Sequence, residues 1–281
     1  MIWHKLYNYF SWIWHKVLHV PIRMAVAEDN HVKNPRLTVV LLHGIAATSY
    51  TWRKLYKDVL RDPELKDVRF IALDLLGFGK SPKADWLDYD YDDYARALDE
   101  SFRLLKINTP VMLMGHSMGA LIIANYIAER RPQVFVQAAI LVSPPLLMAS
   151  EMARLPDRVY MNTYASLQHL AKDVPAVDVI ARIAERFSNF EKHYLKTQAF
   201  ASSMENIILN RGNYQTFRKI KIPTVLLHGH FDPLVIGANL RKVAKVNKRL
   251  TYQSVIADHD ITATKRVRII REIKKVLKDD E

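Results

Sequence analysis

Hydrophobic residues along the chain recur in two alternating patterns, which predict strands and helices in turn. Short runs that are almost continuously apolar and rich in β-branched residues lie at 36–42, 68–73, 110–114, 136–142, 223–228 and 250–256. Continuous runs of this length are typical of strands buried on both faces of a parallel sheet. The segment 22–27 precedes them and predicts an antiparallel edge strand.

Between these runs, apolar residues return at helical spacing. The predicted helices lie at about 50–60, 91–106, 117–130, 236–245 and 261–278. Alternation of strand and helix predicts an α/β fold, in which a mostly parallel central sheet carries helices on both faces and the crossovers are right-handed.

One region departs from this alternation. Residues 146–217 contain no convincing strand pattern, are helix-like, and are interrupted by Pro156 and Pro175. We therefore expect an inserted helical lid at 146–217. The predicted α/β core comprises 21–145 and 218–281, and a separate amphipathic helix is predicted at 1–20.

The predicted N-terminal helix has an unusually aromatic apolar face. Its apolar residues fall at spacings of three and four, and they are Trp3, Leu6, Tyr7, Phe10, Ile13, Trp14, Val17 and Leu18. The segment lacks the uninterrupted apolar run and cleavage site of a signal peptide. Two interpretations remain open: the helix packs on the body of the protein or on a partner subunit, or residues 1–19 lie in a membrane interface.

The composition narrows the possible partners and location. Lys+Arg total 41 against 29 Asp+Glu, a net charge of +12, and no nucleic-acid motif accompanies this charge, so nucleic-acid binding is not expected. Basic residues of the last helix, among them Lys265, Arg266 and Arg268, are interpreted as a solvated outer face. The chain has no cysteine, which excludes disulfides and thiolate chemistry and fits a reducing, cytoplasmic location.

The glycines point to a functional edge of the predicted sheet. Six of the eight glycines follow predicted strands, and they are Gly44, Gly77, Gly79, Gly115, Gly119 and Gly229. Glycine is needed where the backbone turns sharply or is closely approached. Open α/β sheets bind their ligands at the carboxyl ends of the strands, so we expect a site there.

The strongest chemical signal is the segment Gly115-His116-Ser117-Met118-Gly119, which lies between a predicted strand and a predicted helix. In that context a serine sits on a tight, strained turn that presents its Oγ above the sheet, so Ser117 is the candidate nucleophile. The oxyanion hole would use the backbone N–H groups of Met118 and Ile45, with Ala46 as the alternative to Ile45.

A serine needs a base held in the right orientation, and the sequence offers a candidate base after the last predicted strand and a candidate acid after the strand before it. His259 is the candidate general base and Asp232 the acid that fixes its tautomer, in the chain order Ser, Asp, His. The alternative interpretations are that His259 is an ordinary surface histidine and that Asp232 is a turn-forming aspartate before Pro233. Asp258 and Asp260 are poorer orienters because neighbouring side chains usually point apart.

Taken together, these motifs resemble the α/β-hydrolase superfamily, in its serine-nucleophile, esterase- and lipase-like branch. The motifs are His43-Gly44, residues 74–81, the Gly115–Gly119 turn, Gly229–Asp232 and His259. The resemblance implies that Asp74 and Gly77–Ser81 form a structural loop. It also counts against dehalogenase and epoxide hydrolase chemistry, for which this turn carries aspartate instead of serine.

A serine, a base and an oxyanion hole predict acyl transfer to water through an acyl-enzyme. The apolar lid favours a small or medium apolar carboxylic ester as the small-molecule acyl substrate, with no cofactor and no metal. Thioester, amide and carbon–carbon bond hydrolysis remain open, as does a non-catalytic ligand-binding protein of this fold.

Overall fold

A computed structural model of the chain describes residues 2–18, 20–148 and 191–279. Seven strands form one sheet in the spatial order β1-β3-β2-β4-β5-β6-β7. The strands are β1 (Ala25–Asp29), β2 (Leu37–Leu42), β3 (Val68–Asp74), β4 (Val111–His116), β5 (Val136–Val142), β6 (Thr224–Gly229) and β7 (Leu250–Val255). β1 pairs antiparallel with β3, and the other neighbouring pairs are parallel. The predicted fold class is therefore confirmed.

Helices cover both faces of the sheet. They are α1 (Ile2–Trp12), α2 (Arg53–Leu60), α3 (Tyr91–Leu104), α4 (Met118–Glu129), α5 (Gln198–Ser203), α6 (Asn213–Lys219), α7 (Gly237–Val246) and α8 (Ala263–Lys278). A π-helical segment, Ile13–Val17, continues α1. Short 3₁₀ segments lie at Ser49–Trp52, Pro63–Leu65 and Lys192–Lys196, and a second π-helical segment lies at Met204–Ile208.

Two hydrophobic clusters lie on opposite faces of the sheet, as the alternation of side chains along a strand requires. Within β2, Val40 and Leu42 belong to the cluster that also contains buried residues of α3, α4 and α7. Val39 and Leu41 belong to the other cluster, which α2 and α8 cover. All six residues of β2 are buried, as expected for a central parallel strand.

Two strand predictions differ from the structure at the edges of the sheet. The antiparallel edge strand begins at Ala25 rather than at residue 22, and Ile22 and Met24 are instead buried in the core before it. β7 was expected to be buried on both faces, yet Thr251 and Ser254 are exposed. The physical reason is that β7 lies at the edge of the sheet, where fewer neighbours cover it.

Most of the predicted lid, residues 149–190, lies outside the described residues. Between Glu191 and Phe217 the described chain is helical or irregular and contains no strand, but the boundaries of the three predicted parts stay predictions. Among the described residues, no helix combines the length and apolarity that crossing a bilayer requires.

Candidate active site

Ser117 lies at the turn between β4 and α4, in a backbone conformation that non-glycine residues rarely adopt. Its φ is 53° and its ψ is −117°, a strained combination that persists only where the surroundings enforce it. The Ser117 amide donates to the Val142 carbonyl at 2.9 Å, which ties the turn to β5. The predicted strand–turn–helix context of this serine is therefore present.

Glycine at position 119 allows the turn to form. A Cβ on Gly119 would lie 2.5 Å from the carbonyl oxygen of His43 and 2.7 Å from that of Leu42. Because these are backbone atoms that cannot move aside, any larger residue would push α4 away from the end of β2. The same close approach brings the His43–Ala46 loop against Ser117.

Asp232 and His259 meet because the loops after β6 and β7 are joined by backbone hydrogen bonds. The amide of His230 donates to the Val255 carbonyl at 2.8 Å, and that of Phe231 donates to the Ala257 carbonyl at 2.9 Å. Gly229 permits this contact, since a Cβ there would lie 2.2 Å from the carbonyl oxygen of Asp258.

The Asp232 carboxylate receives the ring of His259. Nδ1 of His259 lies 3.0 Å from Oδ1 and 2.9 Å from Oδ2 of Asp232, and the Leu234 amide also donates to Oδ1 at 2.9 Å. Burial by itself would raise the pKa of Asp232, but the His259 imidazole and, more weakly, the Lys265 ammonium lower it below its ordinary value. An ionised carboxylate requires the proton on Nδ1 of His259, which leaves Nε2 free to act as a base.

His116 connects the serine turn to the candidate base. Its ring centroid lies 4.8 Å from that of His259, and its Nε2 donates to the backbone carbonyl of His259 at 2.9 Å. Burial, together with the nearby His259 and Lys265, lowers the pKa of His116 well below its usual value. His116 is therefore a neutral donor that fixes the backbone of His259 beside Ser117.

A second donor to this carbonyl is Lys265 of α8. Its Nζ lies 2.9 Å from the His259 carbonyl oxygen, 2.6 Å from that of Asp258 and 2.8 Å from Oγ of Ser143. Lys265 is fully buried, and burial lowers its pKa to about 8. Three oxygen acceptors match the three protons of an ammonium group, so Lys265 holds the loop that carries His259.

The prediction of a solvated outer face was wrong for Lys265. Its helical position is the reason: Lys265, Ile269, Ile273 and Leu277 follow one another at intervals of four and are all buried. That spacing was present in the sequence and marks one line along a helix. A lysine on an apolar line, rather than the basic run as a whole, was the signal that sequence reasoning missed.

His43 links the loops that follow β2 and β3 by hydrogen bonds. Its Nε2 accepts the Leu75 amide at 2.9 Å, and its Nδ1 donates to the Gly44 carbonyl at 2.7 Å. Burial lowers the pKa of His43 to about 4, so the ring is neutral. Asp74 holds the neighbouring loop, because its two carboxylate oxygens accept the amides of Ser49 and Lys80.

The two residues predicted to form the oxyanion hole lie on segments that adjoin Ser117. Met118 is the first residue of α4, and the first amides of a helix have no intrahelical acceptor. Ile45 follows Gly44, on which a Cβ would lie 3.1 Å from Cβ of Ser117. Ser117 and His259 are both buried, at 7% and 3% exposure.

The sequence of residues 38–198 matches the family model for the alpha/beta hydrolase fold. The chain belongs to this family. The matched residues include the loop after β2, the turn at Ser117 and, at their end, the first residue of α5. The loops that carry Asp232 and His259 lie beyond it, so their place in the site rests on the geometry described above.

Two relatives of this chain illustrate the range of the family. "Uncharacterized hydrolase YugF" from Bacillus subtilis is 27% identical over 224 residues, which cover 75% of this chain and 80% of that protein. "Probable lysophospholipase BODYGUARD 4" from Arabidopsis thaliana is 29% identical over 143 residues, which cover 50% of this chain. The matched region spans only about a third of the length of that plant protein.

Solved structures extend the same fold over almost the whole chain. An esterase from Exiguobacterium antarcticum superposes with a TM-score of 0.68 at 20% identity, covering 91% of this chain and 95% of the esterase. A bromoperoxidase from Bacillus anthracis gives a TM-score of 0.67 at 21% identity, covering 93% and 98% of the respective chains. These two neighbours carry different names, so the likeness establishes architecture and not a reaction.

Proposed function

We propose that the chain is a serine hydrolase that cleaves a small or medium apolar carboxylic ester through an acyl-enzyme. The observation that carries this proposal is the Asp232–His259 pair at the sheet edge where Ser117 occupies its strained turn. A carboxylate on Nδ1 leaves Nε2 of the imidazole as a base, which is the arrangement that activates a serine hydroxyl.

In the proposed reaction His259 removes the hydroxyl proton of Ser117 as Oγ attacks the ester carbonyl carbon. The imidazolium, stabilised by Asp232, then gives this proton to the departing alkoxide, which leaves as an alcohol. Water attacks the acyl-enzyme in a second cycle, and His259 takes its proton and returns one to Ser117. The acid product and the free enzyme result.

The developing oxyanion would receive the amides of Met118 and Ile45. Removing one such donor in a serine hydrolase typically costs about 10²- to 10³-fold in rate. Two features support the pairing: both residues lie on segments that adjoin Ser117, and the start of α4 adds the positive end of its helix dipole. The carbonyl of Ala46 accepts the Glu191 amide at 2.7 Å, so the loop is held from the lid side as well.

The preference for an apolar acyl group rests on the residues that follow β5. Leu146, Leu147 and Met148 are buried after the end of this strand, which neighbours the strand that carries Ser117. Names of similar proteins point in the same direction, since they include an esterase and a probable lysophospholipase. Apolar walls favour an acyl chain without charged groups.

A fluorophosphonate probe tests the serine directly, because it reacts with an activated hydroxyl and forms a stable adduct. We expect the wild type to be labelled, Ser117→Ala to remain unlabelled and His259→Ala to be labelled at least about 10³-fold more slowly. Ser101→Ala is the matched control, since Ser101 is a buried serine on α3 whose Oγ donates to the Ala97 carbonyl and accepts the Met24 amide. An unlabelled, folded wild type would instead favour a ligand-binding protein.

A panel of p-nitrophenyl esters of graded chain length, with matched thioesters and anilides, then identifies the substrate class. We expect the esters to be hydrolysed faster than the thioesters and the anilides, with an optimum at short or medium chains. Faster thioester or anilide turnover, lost in Ser117→Ala, would retain the nucleophile and overturn the ester assignment.

A further inference from the structure

The N-terminal helix is attached to the body of the protein by its polar side. The Asn8 side chain donates to Asp85 Oδ2 at 2.9 Å and accepts the Asp85 amide at 2.8 Å. Oγ of Ser11 accepts Nε1–H of Trp86 at 3.2 Å, and the ring of His15 lies 5.5 Å from the ring of Trp86. Positions 8, 11 and 15 share one helical face, so the face toward the protein is the hydrophilic one.

The aromatic side of the same helix is therefore turned outward. Trp3 is 84% exposed and Phe10 is 63% exposed. The exposed large apolar residues of this segment, which we call the aromatic face, are Trp3, Leu6, Tyr7, Tyr9, Phe10, Trp12, Trp14, Val17 and Leu18. Single exposed hydrophobic residues are ordinary, but a contiguous set of this size marks a surface that binds something.

The charge of the segment indicates the chemistry of what it binds. Residues 1–27 contain Lys5, Lys16 and Arg23 but no aspartate or glutamate, and these three cations are exposed. Tryptophan and tyrosine favour the boundary between lipid headgroups and acyl chains, while lysine extends its ammonium toward lipid phosphates. A second copy of the chain is a poorer match, because it would bring the same positive charge into contact.

We infer that the aromatic face docks the protein on the surface of an anionic phospholipid bilayer, with α1 and the Ile13–Val17 segment lying in the plane of the headgroups. The polar contacts to Asp85 and Trp86 hold the rest of the protein on the aqueous side. The inference does not depend on the reaction at Ser117, since it concerns a separate surface and is measured by binding.

The test is co-sedimentation of the 281-residue protein with sucrose-loaded vesicles. Vesicles of phosphatidylcholine with about a third phosphatidylglycerol are compared with vesicles of phosphatidylcholine alone. We expect binding to the anionic vesicles that weakens as salt rises, because each juxtamembrane cation contributes about fivefold to partitioning. Lys5→Gln should weaken binding to the anionic vesicles by about fivefold and reduce the salt dependence.

A triple variant, Trp3→Gln, Phe10→Gln and Trp14→Gln, removes much of the aromatic face but keeps the polar contacts of the helix. It should partition at least tenfold less than wild type, whereas Trp3→Phe with Trp14→Phe should retain most of the binding. Phe135→Gln is the matched control. Phe135 is 70% exposed and immediately precedes β5, at the sheet edge opposite the candidate active site, so its replacement should leave binding unchanged.

Three results would overturn the inference. Equal binding by the Gln triple variant and the wild type removes the aromatic face from the explanation. Absence of wild-type binding to anionic vesicles rejects the bilayer. Concentration-dependent dimerisation without lipid, abolished by the triple variant and unaccompanied by vesicle binding, identifies a second copy of the chain as the occupant.

Discussion

The sheet edge around His259 and the N-terminal helix place similar residue types in opposite settings. At the sheet edge, charged and polar groups are buried and bonded: Lys265 has three oxygen partners, and Asp232 holds the imidazole. In the helix, polar groups face the protein while tryptophans face outward. The first region is held by many specific contacts, and the second is held by a few at the surface.

This difference shows that a residue type has little meaning apart from its neighbours. Lys16 and Lys265 both belong to amphipathic helices, yet Lys16 is exposed beside Trp86 and Lys265 is fully buried. A buried ammonium is tolerated only where hydrogen bonds replace its water. The buried groups should therefore be sensitive to single substitutions, and the exposed contacts of the helix should not.

The largest effect should come from Asp232→Asn. The amide keeps the shape of the carboxylate but favours the wrong tautomer of His259, with the proton on Nε2, so this nitrogen no longer serves as a base. We expect kcat to fall about 10⁴-fold while the melting temperature changes little by comparison. Steady-state kinetics on a p-nitrophenyl ester checks this, with Asp258→Asn as the neighbouring control.

If Asp258→Asn lowered kcat as strongly as Asp232→Asn, the assignment of the orienting acid would be wrong. Asp258 is the alternative orienting acid, since it precedes His259 in the same loop. Its carboxylate accepts the Asp260 amide at 3.0 Å rather than the His259 ring. A modest loss from this control, below about tenfold, is the expected result because its contact is local and partly exposed.

The next effect concerns Lys265→Met, which removes the ammonium but keeps most of the side-chain volume. Loosening the His259 backbone should lower kcat about 10- to 100-fold with a smaller change in KM, since misplacement of a catalytic group by about 1 Å has this cost. Lys275→Met is the matched control, because Lys275 is exposed on the same helix.

The pH dependence of stability separates this role from simple packing. The pKa of Lys265 is about 8 in the folded protein and 10.5 in the unfolded chain. Above pH 8 the unfolded chain therefore holds more protons, and this lysine makes stability rise with pH. Wild type should gain about 1 kcal/mol relative to Lys265→Met between pH 8 and 9, as measured by urea unfolding. Parallel pH profiles would contradict a buried, titrating ammonium.

Much of the fold followed from the sequence because its signals are local. The runs that predicted β2 to β6 are apolar on both faces, and their bounds agree with the structure within about two residues. β7 differed in burial because the order of strands in the sheet decides which strand is an edge, and no local pattern encodes that order.

In the candidate site, too, some features followed from the sequence and others did not. The placement of Ser117, Asp232 and His259 at one edge of the sheet was predictable because each follows a strand, and parallel strands present their carboxyl ends at one edge. The donors to the His259 carbonyl were not predicted, since they come from His116 and from Lys265 on different elements. For the N-terminal helix the sequence identified an amphipathic pattern but not its direction, because which face meets the body depends on residues such as Asp85 and Trp86.

The smallest effect should come from Asn8→Ala, in the N-terminal helix. The two hydrogen bonds between Asn8 and Asp85 are exposed, so their loss should lower the free energy of global unfolding by less than about 1 kcal/mol. The helix itself should detach more often, because little apolar surface holds it to the body. Hydrogen exchange should therefore quicken in residues 5–16 and remain unchanged in β4 and β6. Protection of residues 5–16 equal to wild type would show that other contacts hold the helix, and the contrast with the sheet edge would then disappear.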